Sequence, residues 1–228
     1  MTNLRRLAAA TTLLAAVAAC SSTVAGKGSF NGSGTPTASA SGTDTPTATP
    51  SATSSDAGRS SLSCSGGTVL QPKSAPYCYL LPAGFKDVSS LTSTTVGQTG
   101  EHPSSVALAG ETITPAVRDL IIVLDFTLRL DTDNLSDDQL VQQLNTLITQ
   151  FESQGFTFES RTPERSTVDG ARGFGYHAKA REGYSSDIVF AFRGKQEVEV
   201  NCQYKVHQAD IQRACGQIMS TVQIVSPS

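Results

Sequence analysis

Between Leu120 and Leu130 the chain alternates with a period of two. Leu120, Ile122, Leu124, Phe126, Leu128 and Leu130 fall on one side, and Ile121, Val123, Asp125, Thr127 and Arg129 on the other. Only an extended strand sends successive side chains to opposite faces. One face is wholly apolar, while the other is apolar only at its start. This predicts a central strand covered on both sides at one end and wet at the other. A chain holding such a strand is committed to a sheet with further elements packed on it.

A helix with legible ends follows. Ser136 is an N-cap with Gln139 three positions on, and Leu135 before the cap can staple against Leu140. Leu140, Leu144, Leu147, Ile148 and Phe151 form one apolar stripe. Gly155 suits the left-handed position after the helix, which lets Phe156 fold back on Phe151. Asp137 and Asp138 stand in the first turn, where the helix dipole favours them.

Other elements are shorter. Tyr77 to Leu81 reads as a strand, and Pro82-Ala83-Gly84-Phe85 turns the chain and returns an aromatic to the core. Residues 88–118 carry no decisive pattern beyond Val106-Ala107-Leu108, a candidate strand. Phe156-Thr157-Phe158 begins another, Asp169-Gly170 marks a turn, and Phe174, Tyr176, Ala178 and Ala180 alternate along the next. Ile188 to Phe192 then lead through Gly194-Lys195 to Val198, Val200, Cys202, Tyr204 and Val206, a hairpin whose glycine suits a tight primed turn. Ile211, Cys215, Ile218 and Val222 make the stripe of a C-terminal helix. The expected domain is α/β, with a largely antiparallel sheet covered by helices.

The N-terminus has a different character. Arg5 and Arg6 precede Leu7 to Ala19, a run of apolar or small residues that closes on Cys20, the layout of an export signal. At about 1.5 Å per residue this run spans only ~20 Å, short of a bilayer core of roughly 30 Å. Val17-Ala18-Ala19-Cys20 resembles the lipobox of bacterial lipoproteins. That resemblance implies removal of residues 1–19 as a signal peptide, a diacylglyceryl group on the Cys20 thiol, and attachment to the extracytoplasmic face of the cell membrane. Residues 20–63 are then a lipid-anchored linker. From 21 on they are almost entirely Ser, Thr, Ala, Gly and Pro, with Phe30 nearly the sole large apolar side chain. Such a composition cannot bury enough to offset its ordering entropy, so a disordered tether is expected, averaging about 35–40 Å as a flexible coil. Its Thr-Pro pairs also fit O-glycosylation.

Residues 64–228 remain for a single α/β domain, long enough to bury a core of its own. They carry 13 Lys and Arg against 18 Asp and Glu, a net charge of −5. Nucleic acid is excluded as a partner on this balance, since phosphate binding needs a concentrated basic face. Of the 5 cysteines, Cys20 is assigned to the lipid, and an even number outside the cytoplasm suggests two disulfides. Cys202 shares the inward parity of Val200 and Tyr204, and Cys215 lies on the apolar stripe of the last helix, which pairs them. Cys64 and Cys78 are the remaining pair. Zinc is disfavoured, because these four lack closely spaced Cys pairs.

The order of elements resembles the Mog1/PsbP-like fold, in particular actinobacterial lipoproteins that carry such a domain behind a lipobox and a Ser/Thr-rich tether. The resemblance covers residues 77–225 and rests on element order, on Tyr77 to Phe85 as a strand running into Pro-x-Gly-aromatic, and on the final strand-to-helix step. Phe85 stands where tryptophan is common in that family, and the chain has no tryptophan. The resemblance implies an α/β/α sandwich acting as a non-enzymatic interaction or ligand-binding module at the cell envelope.

No motif carries chemistry. Asp131-Thr132-Asp133-Asn134 with Asp137-Asp138 begins like a calcium loop, but the sixth and twelfth positions hold Ser136 and Gln142 in place of glycine and glutamate. His102, His177 and His207 are scattered, with no second histidine or cysteine at metal-ligand spacing. There is no Gly-x-Ser-x-Gly elbow. Gly170 to Gly175 enters a strand where a phosphate loop would open a helix. Gly173, Gly175 and His177 share one parity and leave a nearly bare face, the candidate contact surface. A monomer is expected, with no cofactor, no metal, and an envelope protein or small hydrophobic ligand as partner. A carrier of hydrophobic envelope lipids needs an apolar cavity between sheet and helix. An envelope hydrolase needs one of the histidines beside a serine or acid.

Overall fold

The computed structural model describes residues 61–91, 100–111 and 119–225. The expected signal peptide, Cys20 and the linker up to residue 60 lie outside the described residues. One compact unit runs from Ala57 to Ser228.

Its strands are β1 Val69–Leu70, β2 Tyr77–Leu80, β3 Phe85–Asp87, β4 Ser104–Leu108, β5 Leu120–Thr127, β6 Phe156–Phe158, β7 Glu164–Val168, β8 Ala171–Ala180, β9 Ser185–Arg193, β10 Gln196–Tyr204 and β11 Gln223–Ile224. Among the described residues two long α-helices, α1 Asp137–Ser153 and α2 Gln208–Thr221, join these strands, and Ser89–Leu91 are helical too. Eight strands make one antiparallel sheet in the order β3-β4-β5-β10-β9-β8-β6, with β7 also on β8, and β1-β2-β11 make a small second sheet.

Helices lie on both faces of the large sheet, as the sequence predicts. Leu140, Leu144 and Ile148 of α1 pack on Phe174, Tyr176, Ile188, Phe190 and Phe192. On the opposite face Ile211, Ala214 and Ile218 of α2, together with the small sheet, cover Ile121, Val123, Val198 and Val200. A third cluster of Val88, Ala107, Leu120 and Ile122 sits on the first face towards β4.

Strand β5 is central and its burial fades along its length, from Leu120 and Ile121 at 0% exposed to a solvent-exposed Thr127. It ends earlier than the alternation suggests. The Leu128 N–H donates to Lys195 O, the Thr132 N–H donates to Gly194 O, and Leu130 is left exposed. Both signalled ends of α1 form. Ser136 and Gln139 make a reciprocal capping box, Gly155 takes φ +102°, and the Phe156 ring meets Phe151 edge-on at 5.6 Å.

Turns follow the local chemistry. Asp169 (φ +48°) and Gly170 (φ +78°) join β7 to β8 with both central residues left-handed, the geometry a two-residue hairpin requires. Strand β7 itself was not legible, because Glu164 to Thr167 are all exposed and carry no apolar alternation. Cys64 bonds Cys78 and Cys202 bonds Cys215, the pairs expected. The second bridge pins α2 to β10. The first ties the start of the domain at Cys64 to β2, the second strand in order.

Candidate functional site

Strand β10 occupies the middle of the large sheet, between β5 and β9. Its odd-and-even pattern divides the side chains cleanly. Val198, Val200 and Cys202 enter the core beneath α2, so Glu197, Glu199, Asn201 and Gln203 must point to the other face. In an edge hairpin such a set would be solvated. Here Glu199 is 5% exposed, Asn201 8% and Gln203 5%.

The stripe separates two apolar clusters. Across β9 the opposing residues are Phe192, Phe190, Ile188 and Ser186, and across β5 they are Phe126, Leu124, Ile122 and Leu120. The β9 apolar residues belong to the cluster beneath α1, and Leu120 and Ile122 belong to the third cluster. Burial is graded along the stripe. Glu197, Leu124 and Phe126 are half-buried, whereas Gln203, Ser186 and Leu120 are buried.

The stripe is incompletely paired. Ser186 Oγ donates to Asn201 Oδ1 at 2.5 Å, and Asn201 Nδ2 donates to Glu199 Oε1 at 3.2 Å. Gln203 Oε1 is buried without a hydrogen-bond partner. Among the described residues no cation pairs with either glutamate. The nearest guanidinium in register is that of Arg172, across Phe192, and it donates to Leu135 O, Thr132 O and Asp137 Oδ1. Burial pushes the Glu197 carboxyl up to about 8, helped by the neighbouring Glu199 charge. Burial also lifts Glu199, to about 7, against the opposing Asn201 hydrogen bond. Low-dielectric surroundings penalise the charged form unless a partner arrives.

The face expected at Gly173, Gly175 and His177 is not uniformly bare. A Cβ at Gly173 would stand 2.4 Å from Ser166 Oγ, because β7 folds back along β8 and fills that space. Gly175 has ordinary contacts, the nearest being Glu164 O at 3.6 Å. His177 is exposed, with Nδ1 2.7 Å from Asp187 Oδ1 and Nε2 3.8 Å from Glu164. The hydrogen bond to the Asp187 carboxylate raises the His177 pKa above its ordinary value, against partial burial. The glycine at 173 serves close strand packing, Gly175 is paired on both sides and half-buried, and His177 alone of the three is exposed.

All three histidines face carboxylates. His102 Nδ1 lies 2.9 Å from Asp125 Oδ2, and His207 Nε2 lies 2.9 Å from Glu111. Glu101, His102 and Asp125 bring one ligand atom each within 4.8 Å of one another, a grouping invisible to spacing along the chain. Their acid oxygens are already used. Asp125 accepts from the His102 N–H and from Gln196 Nε2, and Glu101 accepts from Thr127 N and Oγ1. This network fastens the approach to β4 along β5. The acids at 131–138 are likewise engaged. Asp131 accepts from Asp133 N, Asp133 accepts from Gly194 N, and Asp137 and Asp138 pair with Arg165.

No family model matches the chain, and no curated protein matches it. Solved structures similar in architecture include cyanobacterial PsbP (CyanoP) from Synechocystis sp. PCC 6803, at 10% identity over 69% of this chain and 91% of that one, TM-score 0.47. They also include the Saccharomyces cerevisiae Ran-binding protein Mog1p, at 12% identity over 72% and 97%, TM-score 0.40. A third is LpqN, involved in cell envelope biogenesis of Mycobacterium tuberculosis, at 9% identity over 71% and 87%, TM-score 0.43. Likeness at such identities concerns architecture alone.

Proposed function

We propose that the chain is a cell-envelope lipoprotein, anchored through Cys20 and carrying residues 64–228 as a non-enzymatic ligand-binding module on a tether of residues 20–63. The observation that carries the ligand-binding reading is the β10 stripe. A central strand presents Glu197, Glu199, Asn201 and Gln203 to a covered face, with one amide oxygen unpartnered and both carboxyls lacking a cation among the described residues. Unpaired buried polar groups cost stability, and a ligand that supplies partners offsets that cost. A purely hydrocarbon cargo would leave the stripe unpaired, so the carrier of fully apolar lipids is the weaker variant. The anchor rests on the lipobox resemblance and the run from Leu7 to Ala19.

The test is native mass spectrometry, with solvent extraction, on the full chain purified from an envelope-bearing bacterial host with Cys20→Ala so that no detergent is needed. A co-purifying small molecule of defined mass, lost on Glu199→Gln, is expected. A bare polypeptide mass under gentle conditions refutes a retained ligand. Fractionation checks the anchor: the unsubstituted chain should follow the membrane, and the Cys20→Ala chain should not.

A further inference from the structure

The large sheet carries a second grouping of polar side chains, on the face opposite the β10 stripe and independent of the ligand read there. We propose that Glu101, His102 and Asp125 bind one divalent transition-metal ion of the zinc type.

Main-chain pairing brings the three together. Parity places Asp125 with Ile121 and Val123 on the α2 face of β5, towards the end where burial fades. The segment that enters β4 runs beside it. The Glu101 N–H donates to Asp125 O at 2.9 Å, and the His102 N–H donates to Asp125 Oδ1 at 2.8 Å. Gly100 permits this approach, since a Cβ there would stand 2.9 Å from Leu124 Cβ. On its other side the segment is held by the Tyr77 hydroxyl, which donates to His102 O at 2.5 Å.

The distances suit a shared ion. His102 Nδ1 lies 2.9 Å from Asp125 Oδ2, and an oxygen of Glu101 completes a set whose atoms all lie within 4.8 Å of one another. Two donors held on one zinc ion at about 2.0–2.2 Å stand ~3–3.5 Å apart, so the His102–Asp125 pair need open by only a few tenths of an ångström. Glu101 is exposed and can swing in, whereas Asp125 is buried and fixed. The hydrogen bonds already present support ligation. A carboxylate offers about four lone-pair sites, and those of Asp125 and Glu101 are only partly taken, by the His102 N–H, Gln196 Nε2, Thr127 N and Thr127 Oγ1. Outer contacts of this kind orient metal-bound carboxylates. The contact an ion replaces is the one between Nδ1 and Oδ2, with the ring proton on Nε2.

Donor type selects the ion. An imidazole nitrogen beside two carboxylates suits zinc, whereas calcium takes about six to eight oxygens. Among the described residues neither acid pairs with a Lys or Arg, so their charge is left for a cation. His177 and His207 also face carboxylates, yet among the described residues His102 alone belongs to a set of three ligands. Three protein ligands with an exposed glutamate leave a further position for water or for a donor from outside the chain.

The test is calorimetric titration of zinc chloride into the untagged, EDTA-stripped full chain carrying Cys20→Ala. A single equivalent should bind, unaffected by about a hundredfold excess of magnesium or calcium. Glu101→Gln and His102→Ala should each weaken binding about tenfold or more, and His177→Ala and His207→Ala should leave it unchanged. Glu101 is exposed, so its substitution keeps the fold, which a thermal melt verifies. Binding of the ion should also move the His102 ring nitrogen resonances in a 15N NMR spectrum and spare those of His177 and His207. Absence of zinc binding, binding that survives both Glu101→Gln and His102→Ala, or binding lost with His177→Ala or His207→Ala overturns the assignment. Each of these outcomes leaves the ligand reading of the β10 stripe to its own mass-spectrometric test.

Discussion

Replacing Glu199 by glutamine should stabilise the protein at alkaline pH. Glu199 is 5% exposed, and its carboxyl is lifted from 4.5 to about 7, by burial first. A carboxyl whose folded pKa exceeds its unfolded value holds its proton more tightly when folded. Its contribution is therefore fully present below about pH 4.5 and is lost as pH rises through about 7. The difference of about 2.5 in pKa, at ~1.36 kcal/mol each, gives a ceiling of about 3 kcal/mol at pH 8.5. Relaxation and water entry lower this to roughly 2 kcal/mol. Glutamine keeps the shape and the oxygen that accepts from Asn201 and carries no charge. Differential scanning calorimetry at pH 4.5 and 8.5 provides the test. For a domain of this size ~1 kcal/mol shifts Tm by about 2–4 °C, so Glu199→Gln should melt about 4–8 °C above the parent at pH 8.5 and within ~2 °C of it at pH 4.5. A variant that melts below the parent at pH 8.5, or a parent whose Tm rises between pH 5 and 8 with no flattening in the variant, would refute the claim that this acid is held uncompensated.

Three further outcomes are expected. Cys202→Ser with Cys215→Ser should cost about 3 kcal/mol, because the bridge closes a short loop and fastens α2 to β10; the melt should fall by roughly 6–12 °C, and an unchanged melt counts against the clamp. Asp119→Ala should destabilise by about 2–3 kcal/mol in urea unfolding, since Asp119, 3% exposed, accepts from the N–H groups of Lys205, Val206 and His207 at 2.7–3.0 Å ahead of α2, whose own N-cap side chain makes no cap. In an NMR titration His177 should lose its proton above the ordinary histidine pKa of 6.5, so its stabilising pairing with Asp187 is present below that pH and lost as pH rises through the folded value; Asp187→Asn should return the midpoint towards 6.5, and an unmoved midpoint would assign the shift elsewhere.

Much of the architecture was legible because its signals are local. The capping box at Ser136, the left-handed Gly155, the turn at Asp169-Gly170 and the glycine of the β9–β10 hairpin each lie within a few residues of the backbone they shape. Parity along β10 and along α2 sufficed to pair Cys202 with Cys215. Legibility ended where an element had no local signal. Strand β7 is exposed and polar and forms only because β8 offers an edge, and the same pairing fills the space beside Gly173 that looked bare. Asp119 holds the N–H groups of the segment that leads into a helix whose first residue is 89 positions further on.

The lipobox-like end at Cys20, the Ser/Thr/Pro/Gly-rich tract and the net charge of the folded part are properties of composition and order, and the sequence by itself states them. The candidate site is of another kind. Alternation along Glu197 to Gln203 says which side chains share a face, and any strand with that pattern would have a polar side. Whether that side meets water depends on which strands flank it and what packs above, and these are contacts between segments tens of residues apart. Here β5 and β9 enclose β10, and apolar clusters close in from both sides. Tertiary structure alone therefore turned an ordinary alternating strand into a buried row of acids and amides.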